Sequence, residues 1–373
     1  MILDEDRSGT REGFEAALTR VAAHSDVHSL LVLAADGNDH TPANTDAILQ
    51  RVGKPVYGGV FPALVSGREH FTRGTIVIGT RKPLRATIVR GLSDDTVPLD
   101  RQIVDAISSE IEHALLFVFV DGFARRIAGL VRGLFEEFGV ENNYIGGGAG
   151  SLSMQQKPCL FTNDGMLQDA ALLLQLEWPS GVGVAHGWEI VSEPLQVTSA
   201  EHTTIKSLDY ATAIDAYRGI VEPVAGRPVE AEHFFDVAKG FPFGIRKLDS
   251  EVVVRDPLFL TPAGELVCVG EVPEGAFVHV LRGDAARLID AARSARDLAQ
   301  RSFPAAHAPR FRFVIDCISR SLFLGDRFGE ELAAIDDGLP MVGALTLGEI
   351  ANSGRDFLEF YNKTAVVGLI ATS

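Results

Sequence analysis

Three consecutive glycines, Gly146, Gly147 and Gly148, follow Asn143-Tyr144-Ile145, with Gly150 two places further on. Glycine admits positive φ and lets a ligand or a second backbone come close, so such a run can cradle an anion, face a ligand or turn a tight corner. The cradle needs particular neighbours. A P-loop ends in Gly-Lys-Ser/Thr, and the dinucleotide fingerprint reads G-x-G-x-x-G. Here Ser151 stands where the last glycine belongs and Ser-Leu-Ser-Met-Gln-Gln follows. Nucleotide binding has little support, and the glycines read first as a corner and second as the wall of a ligand site.

Other residues carry possible chemistry. Cys317 closes an apolar run just before Ile318-Ser319-Arg320, where the start of a helix and a guanidinium can lower a thiol pKa and make a nucleophile. Buried inert cysteine is the commoner alternative. Glu349, between Gly348 and Ile350 in an apolar stretch, is costly to bury unless it meets a donor or a cation. His186, in Ala-His-Gly-Trp, caps a turn or lines a cleft. Asp121, before Gly122, marks a strand-to-helix junction, where a carboxylate is favoured. Asn163 and Asn362 each precede a turn into a long apolar strand. No H-E-x-x-H occurs, so neither a metal nor another cofactor is expected.

The elements that position these residues recur. The segments 54–65, 144–150 and 339–350 each set a short apolar strand against a pair of small residues, and each follows a strand and a helix: 29–37 then 46–53, 114–122 then 124–139, 310–319 then 328–338. In the second copy Ile127, Leu130, Val131, Leu134, Phe135 and Phe138 fall at steps of three and four and stop at Gly139, which predicts an amphipathic helix. A hairpin-like pair follows each corner, with Asn163-Asp164-Gly165 as a strong turn signal. The repeat reads strand, helix, strand, Gly corner, strand, strand. It predicts an α/β (α+β) fold of layered mixed sheets rather than a solenoid. Between the second and third copies, strands beginning near 251, 265 and 276 form a β-meander, and 284–302 reads as a helix capped by Asp284. The boundaries expected are 1–27 for an N-terminal helical extension, 28–209 for one domain and 210–373 for a second.

The whole chain sets limits. Its 373 residues are 46% hydrophobic and 23% charged, ordinary for a fully cored protein. A net charge of −16 repels nucleic acid and anionic membrane alike. The acidic start is unlike a signal peptide, and the apolar runs are too short to span a bilayer. Cys159, Cys268 and Cys317 lie far apart without paired spacing, which argues against disulfides and cysteine zinc sites. A cytoplasmic protein is expected, with no nucleic-acid or membrane partner.

Taken together, the motifs resemble the FIST sensory domains of bacterial signalling proteins. The likeness is carried by Phe119-Val-Asp-Gly122, the 145–150 corner, Phe161-Thr-Asn-Asp-Gly165, His186-Gly-Trp188, Val254-Arg-Asp256, Cys317-Ile-Ser-Arg320, Gly348-Glu-Ile350 and Asn362-Lys-Thr364, and covers about 28–370. It implies an N-terminal and a C-terminal FIST domain, and binding of a small ligand such as an amino acid or a related metabolite. The signal would pass to an output. No output domain is recognisable, so a separate signalling protein or homo-oligomerisation is expected to carry it. Expected ligand contacts are Asp121, Gly146, Gly147, Gly148, Asn163, His186, Cys317, Arg320, Gly348, Glu349 and Asn362, with Glu349 and Arg320 meeting the two charged ends of an amino acid. In the first unit Ala63-Leu64-Val65 stands where the family carries Gly-Glu-Ile, so that carboxylate contact is missing there. Two rival readings are an enzyme with Cys317 as nucleophile and a non-catalytic module that dimerises through edges such as 357–361.

Overall fold

The computed structural model describes residues 2–104, 114–139, 141–247, 252–352 and 357–372. The first unit runs β1 (Ile2–Asp6), α1 (Arg11–Ala22), β2 (Ser29–Ala35), α2 (Pro42–Arg51), β3 (Val56–Phe61), β4 (Ala63–Ser66), β5 (Glu69–Phe71) and β6 (Thr75–Thr80). The second runs β7 (Arg85–Arg90), α3 (Leu99–Val104), β8 (Leu115–Asp121), α4 (Ile127–Phe138), β9 (Asn143–Ala149), β10 (Leu160–Thr162), β11 (Gly165–Leu167) and β12 (Ala170–Leu176). The third opens with β13 (Ser180–Ala185) and is then interrupted. The interruption comprises β14 (Glu189–Ile190), β15 (Leu195–Glu201), β16 (Thr204–Leu208), β17 (Ala211–Thr212), α5 (Ala213–Ala225), α6 (Phe234–Ala238), β18 (Phe243–Arg246), β19 (Val252–Leu260), β20 (Leu266–Val269) and β21 (Phe277–Arg282). The third unit resumes with α7 (Ala285–Ser302), β22 (Phe311–Cys317), α8 (Ile318–Leu324), α9 (Phe328–Ile335), β23 (Met341–Thr346), β24 (Glu349–Asn352), β25 (Leu358–Tyr361) and β26 (Ala365–Ile370). Glu251, at the expected start of the meander, lies outside the described residues.

The expected repeat is present, with two strands and at least one helix more per unit. Residues 1–27 are more than a helical extension, because β1 pairs with β6 and α1 packs over the first sheet. The strand orders are β1-β6-β2-β3-β10-β11, β7-β12-β8-β9-β24-β25 and β13-β26-β22-β23-β4-β5. Each sheet is thus completed by the hairpin of another unit: the second lends to the first, the third to the second, and the first to the third. The mixed α/β architecture is a closed ring of exchanged hairpins.

The same contact builds each corner. In the central parallel pairs Val32 lies opposite Gly58, Val118 opposite Gly146 and Val314 opposite Gly343. A Cβ on these glycines would fall 1.8, 1.9 and 1.8 Å from the opposing valine carbonyl oxygen. No side chain fits such a gap, so glycine recurs there for packing. One core joins all three units: Phe61 meets Phe119 at 5.4 Å and Phe117 meets Phe313 at 4.8 Å between ring centres. The inserted sheet closes over a separate core around Tyr217, Phe234 and Phe243. Asp284 caps α7 by accepting the Arg287 N–H at 3.0 Å, and α4 stops at Gly139.

Candidate functional site

A cleft of about 580 Å3 opens where the inserted sheet leans over the third corner. Its walls come from the loop after β8 and the start of α4 (Phe123, Ile127), the segment after β9 (Leu152, Met154), α6 (Phe235), β19 and β20 (Leu258, Phe259, Val267) and α8 (Leu322). Leu152, Phe259 and Leu322 are 44, 48 and 41% exposed, which leaves the mouth apolar. Polar groups gather on the floor: Asp256 from β19, Cys317 at the end of β22, Ser319 in α8, and Asn362 between β25 and β26.

The floor is buried and mostly satisfied. Asp256 Oδ2 accepts the Ser319 hydroxyl at 2.6 Å. Its Oδ1 lies 3.1 Å from Lys363 Nζ, out of hydrogen-bonding alignment, and keeps a lone pair open. Burial raises the Asp256 pKa, opposed by the Lys363 charge and the Ser319 hydroxyl. Asn362 is 1% exposed; its Nδ2 donates to the Tyr361 carbonyl at 2.8 Å while its Oδ1 has no partner among the described residues. An unmatched buried acceptor costs about 1–3 kcal/mol unless a donor arrives. Lys363, in the left-handed region at φ 54°, aims its ammonium at Asp256 and at the Lys239 carbonyl, 3.0 Å away.

Glu349 stands directly behind Cys317. Its carboxyl accepts the Thr364 N–H and the Thr346 hydroxyl, each at 3.2 Å. Burial lifts Glu349 from its ordinary 4.5 to about 8 despite these bonds. Burial also holds the Cys317 thiol well above its usual range, with the Glu349 and Asp256 charges adding to the effect. The proton therefore rests on sulfur. Gly348 completes the floor at φ +83°, where a Cβ would sit 2.3 Å from the Phe360 ring.

The family models decide what this arrangement belongs to. The model of the FIST N domain matches residues 28–211, and that of the FIST C domain matches 213–352. The chain belongs to the FIST family. FIST domains serve sensory signal transduction and bind small ligands, so a ligand cleft is in keeping with the family. Comparison with the curated proteins gives no match.

In this FIST chain the expected contacts part into two groups. Cys317, Gly348 and Asn362 line the cleft, with Glu349 one layer behind. The others are occupied elsewhere. Arg320 is fully buried: it donates to both Glu331 oxygens at 2.9 and 2.8 Å and to the His186, Lys363 and Leu288 carbonyls, and lies 3.3 Å from Asp316. It is a rivet rather than a ligand clamp. His186 Nδ1 accepts the Trp188 N–H at 2.9 Å, and burial beside Arg320 lowers its pKa to about 4. Gly146, Gly147 and Gly148 lie in strand β9, and the Gly148 N–H already donates to the Gly348 carbonyl at 2.9 Å. Asp121 accepts the Phe123 and Asp169 N–H groups and Gln156 Nε2. Asn163 binds only the backbone of the first unit.

Sequence reasoning omitted Asp256, Ser319 and Lys363 from the site of this FIST chain. The signal was present for Asp256: a carboxylate inside an alternating apolar strand carries the same desolvation cost that drew attention to Glu349. Lys363 gave no such signal, because a lysine at a turn ordinarily points to water. Among the described residues no group of three or more His, Cys, Asp and Glu is placed to hold a metal, and no helix is long and apolar enough to cross a membrane.

Proposed function

We propose that this FIST protein is a cytoplasmic sensor that binds a small metabolite in the cleft above Asp256 and Asn362, an apolar amino acid or a related amine. One observation carries the reading: the Asn362 Oδ1 acceptor is buried, without a partner among the described residues, on the floor of an apolar cleft. An ammonium supplies the missing hydrogen and meets the open lone pair of Asp256, while the apolar body lies along Phe123, Ile127 and Leu258. Arg125, which also lines the cleft, is a cation available to a carboxylate. Three buried cysteines, all unpaired, support a reducing compartment.

Thermal shift with leucine, phenylalanine and hexylamine tests the assignment. A ligand at a hundred times its Kd stabilises by about 2.7 kcal/mol, and Asn362→Leu, which keeps the volume and removes the acceptor, should weaken binding by about tenfold or more. A panel that never moves the melting temperature of the wild-type protein, or an Asn362→Leu variant that binds as well, would overturn it.

A further inference from the structure

The polar groups on the cleft floor are lopsided in what they leave free. Their donors are spent: the Ser319 hydroxyl donates to Asp256 Oδ2 at 2.6 Å, Asn362 Nδ2 to the Tyr361 carbonyl at 2.8 Å, and Lys363 Nζ to the Lys239 carbonyl at 3.0 Å. Two acceptors stay open among the described residues, Asp256 Oδ1 and Asn362 Oδ1, on side chains that are each 1% exposed. An amino acid and the matching amine differ by one carboxylate, on the carbon that bears nitrogen. We propose that the cleft selects the amine: its ligands are apolar primary amines without that carboxylate, and Asp256 is the residue that turns the amino acid away. The inference rests on the cleft being the ligand site and narrows what it takes.

An ammonium brings donors and no acceptor, which matches the two open oxygens. A carboxylate only accepts. Held one carbon from that ammonium, it lies on the same buried floor, against the Asp256 carboxylate and without a free side-chain donor. Like charges brought together out of water are strongly disfavoured. The cations behind the floor are committed: Arg320 holds Glu331, and Arg255 donates to the Glu271, Val254 and Phe360 carbonyls. Arg125 lines the cleft but is exposed and donates to the Ser93 carbonyl, so it serves a carboxylate at the open end rather than one at the floor. The charged residues of the lining, among those described, are Asp256, Glu271 and Arg125, a balance that favours a cation. Phe123, Leu258 and Phe259 take the apolar body. Decarboxylation of an apolar amino acid yields such an amine, so the cleft responds to the product of that class of reaction and ignores its precursor.

Isothermal titration calorimetry of the full chain with phenethylamine, phenylalanine and phenylalanine methyl ester tests the selection. Phenethylamine should bind about a hundredfold tighter than phenylalanine, and the ester, which keeps the ammonium and loses the negative charge, should return to within about tenfold of the amine. Asp256→Asn, with its circular dichroism spectrum checked against wild type, should bring amine and amino acid to similar affinity; should that variant not fold, the three ligands alone decide. Phenylalanine binding as tightly as phenethylamine would show that a donor on the floor holds its carboxylate. An ester as weak as phenylalanine would show exclusion by bulk, and an unchanged ratio in folded Asp256→Asn would show that another residue discriminates. Each of these overturns the proposal and leaves the sensor standing. If none of the three binds, and hexylamine and leucine leave the melting temperature unmoved, both readings fail.

Discussion

At Glu349, protonation and folding are coupled. Its pKa is 4.5 in an ordinary setting and about 8 when buried behind Cys317, so between these values the folded chain holds a proton that the unfolded chain has released. A raised folded-state pKa gives stability that is complete below pH 4.5 and is lost as pH climbs through 8. Each unit of separation is worth about 1.4 kcal/mol. Glu349→Gln, which cannot ionise, should flatten urea-measured stability between pH 5 and 8 relative to wild type; a slope identical to wild type would show the carboxyl already ionised in the folded state. At this scale the sequence was a partial guide. A carboxylate among apolar neighbours announced itself by its desolvation cost, and so did the cysteine at a strand end. Arg320 was misleading because proximity in sequence to Cys317 says nothing of where a long side chain points, and here it points to Glu331.

The Gly corner and the hairpin that follows it form one building block at the scale of elements. Asn163, at the tip of the β10–β11 hairpin, accepts the Val56 N–H at 2.8 Å and donates to the Lys54 and Leu49 carbonyls at 2.9 and 3.3 Å. It therefore fastens a hairpin of the second unit onto α2 and β3 of the first. Asn163→Ala leaves a half-buried N–H unmatched and should cost about 2 kcal/mol in urea unfolding, with ligand binding unchanged because the residue is remote from the cleft. A loss of binding in a variant that remains folded would place Asn163 in the site after all. The strand, helix, strand, corner rhythm was legible because periodicity and turn chemistry are local. The helix 127–138 and its Gly139 stop followed from spacing alone. Which sheet a hairpin joins is set by long-range pairing, and nothing local in Phe161-Thr162-Asn163 encodes that.

Hairpin exchange has its largest consequence for the molecule as a whole. Reading the sequence places a boundary at 209–210, and the two family models meet at 211 and 213. Backbone pairing crosses that boundary repeatedly: the exchanged hairpins pair β24 with β9 and β4 with β23, β13 pairs with β26, and β14, β15 and β16 pair with strands of the inserted sheet that lie beyond it. A fragment 1–209 would expose the unpaired edge of β9 along Ile145, Gly146 and Gly147, and a fragment 210–373 would expose β23 along Val342, Gly343 and Ala344. Such edges are apolar and free to pair with other chains. The cleft also draws Phe123 and Leu152 from one side of the boundary and Asp256 and Asn362 from the other. Each half alone should therefore aggregate or remain unfolded by heteronuclear NMR, and co-expression should restore both a folded complex and ligand binding. The two tryptophans sharpen the expectation, since Trp178 packs on Phe311 and Trp188 on Phe323, in two different cores of the ring. Their fluorescence and the far-ultraviolet circular dichroism should report one coincident transition. A soluble 1–209 fragment with a dispersed spectrum, or two separated transitions, would mean that the exchanged hairpins decorate independent domains instead of closing a single cooperative ring.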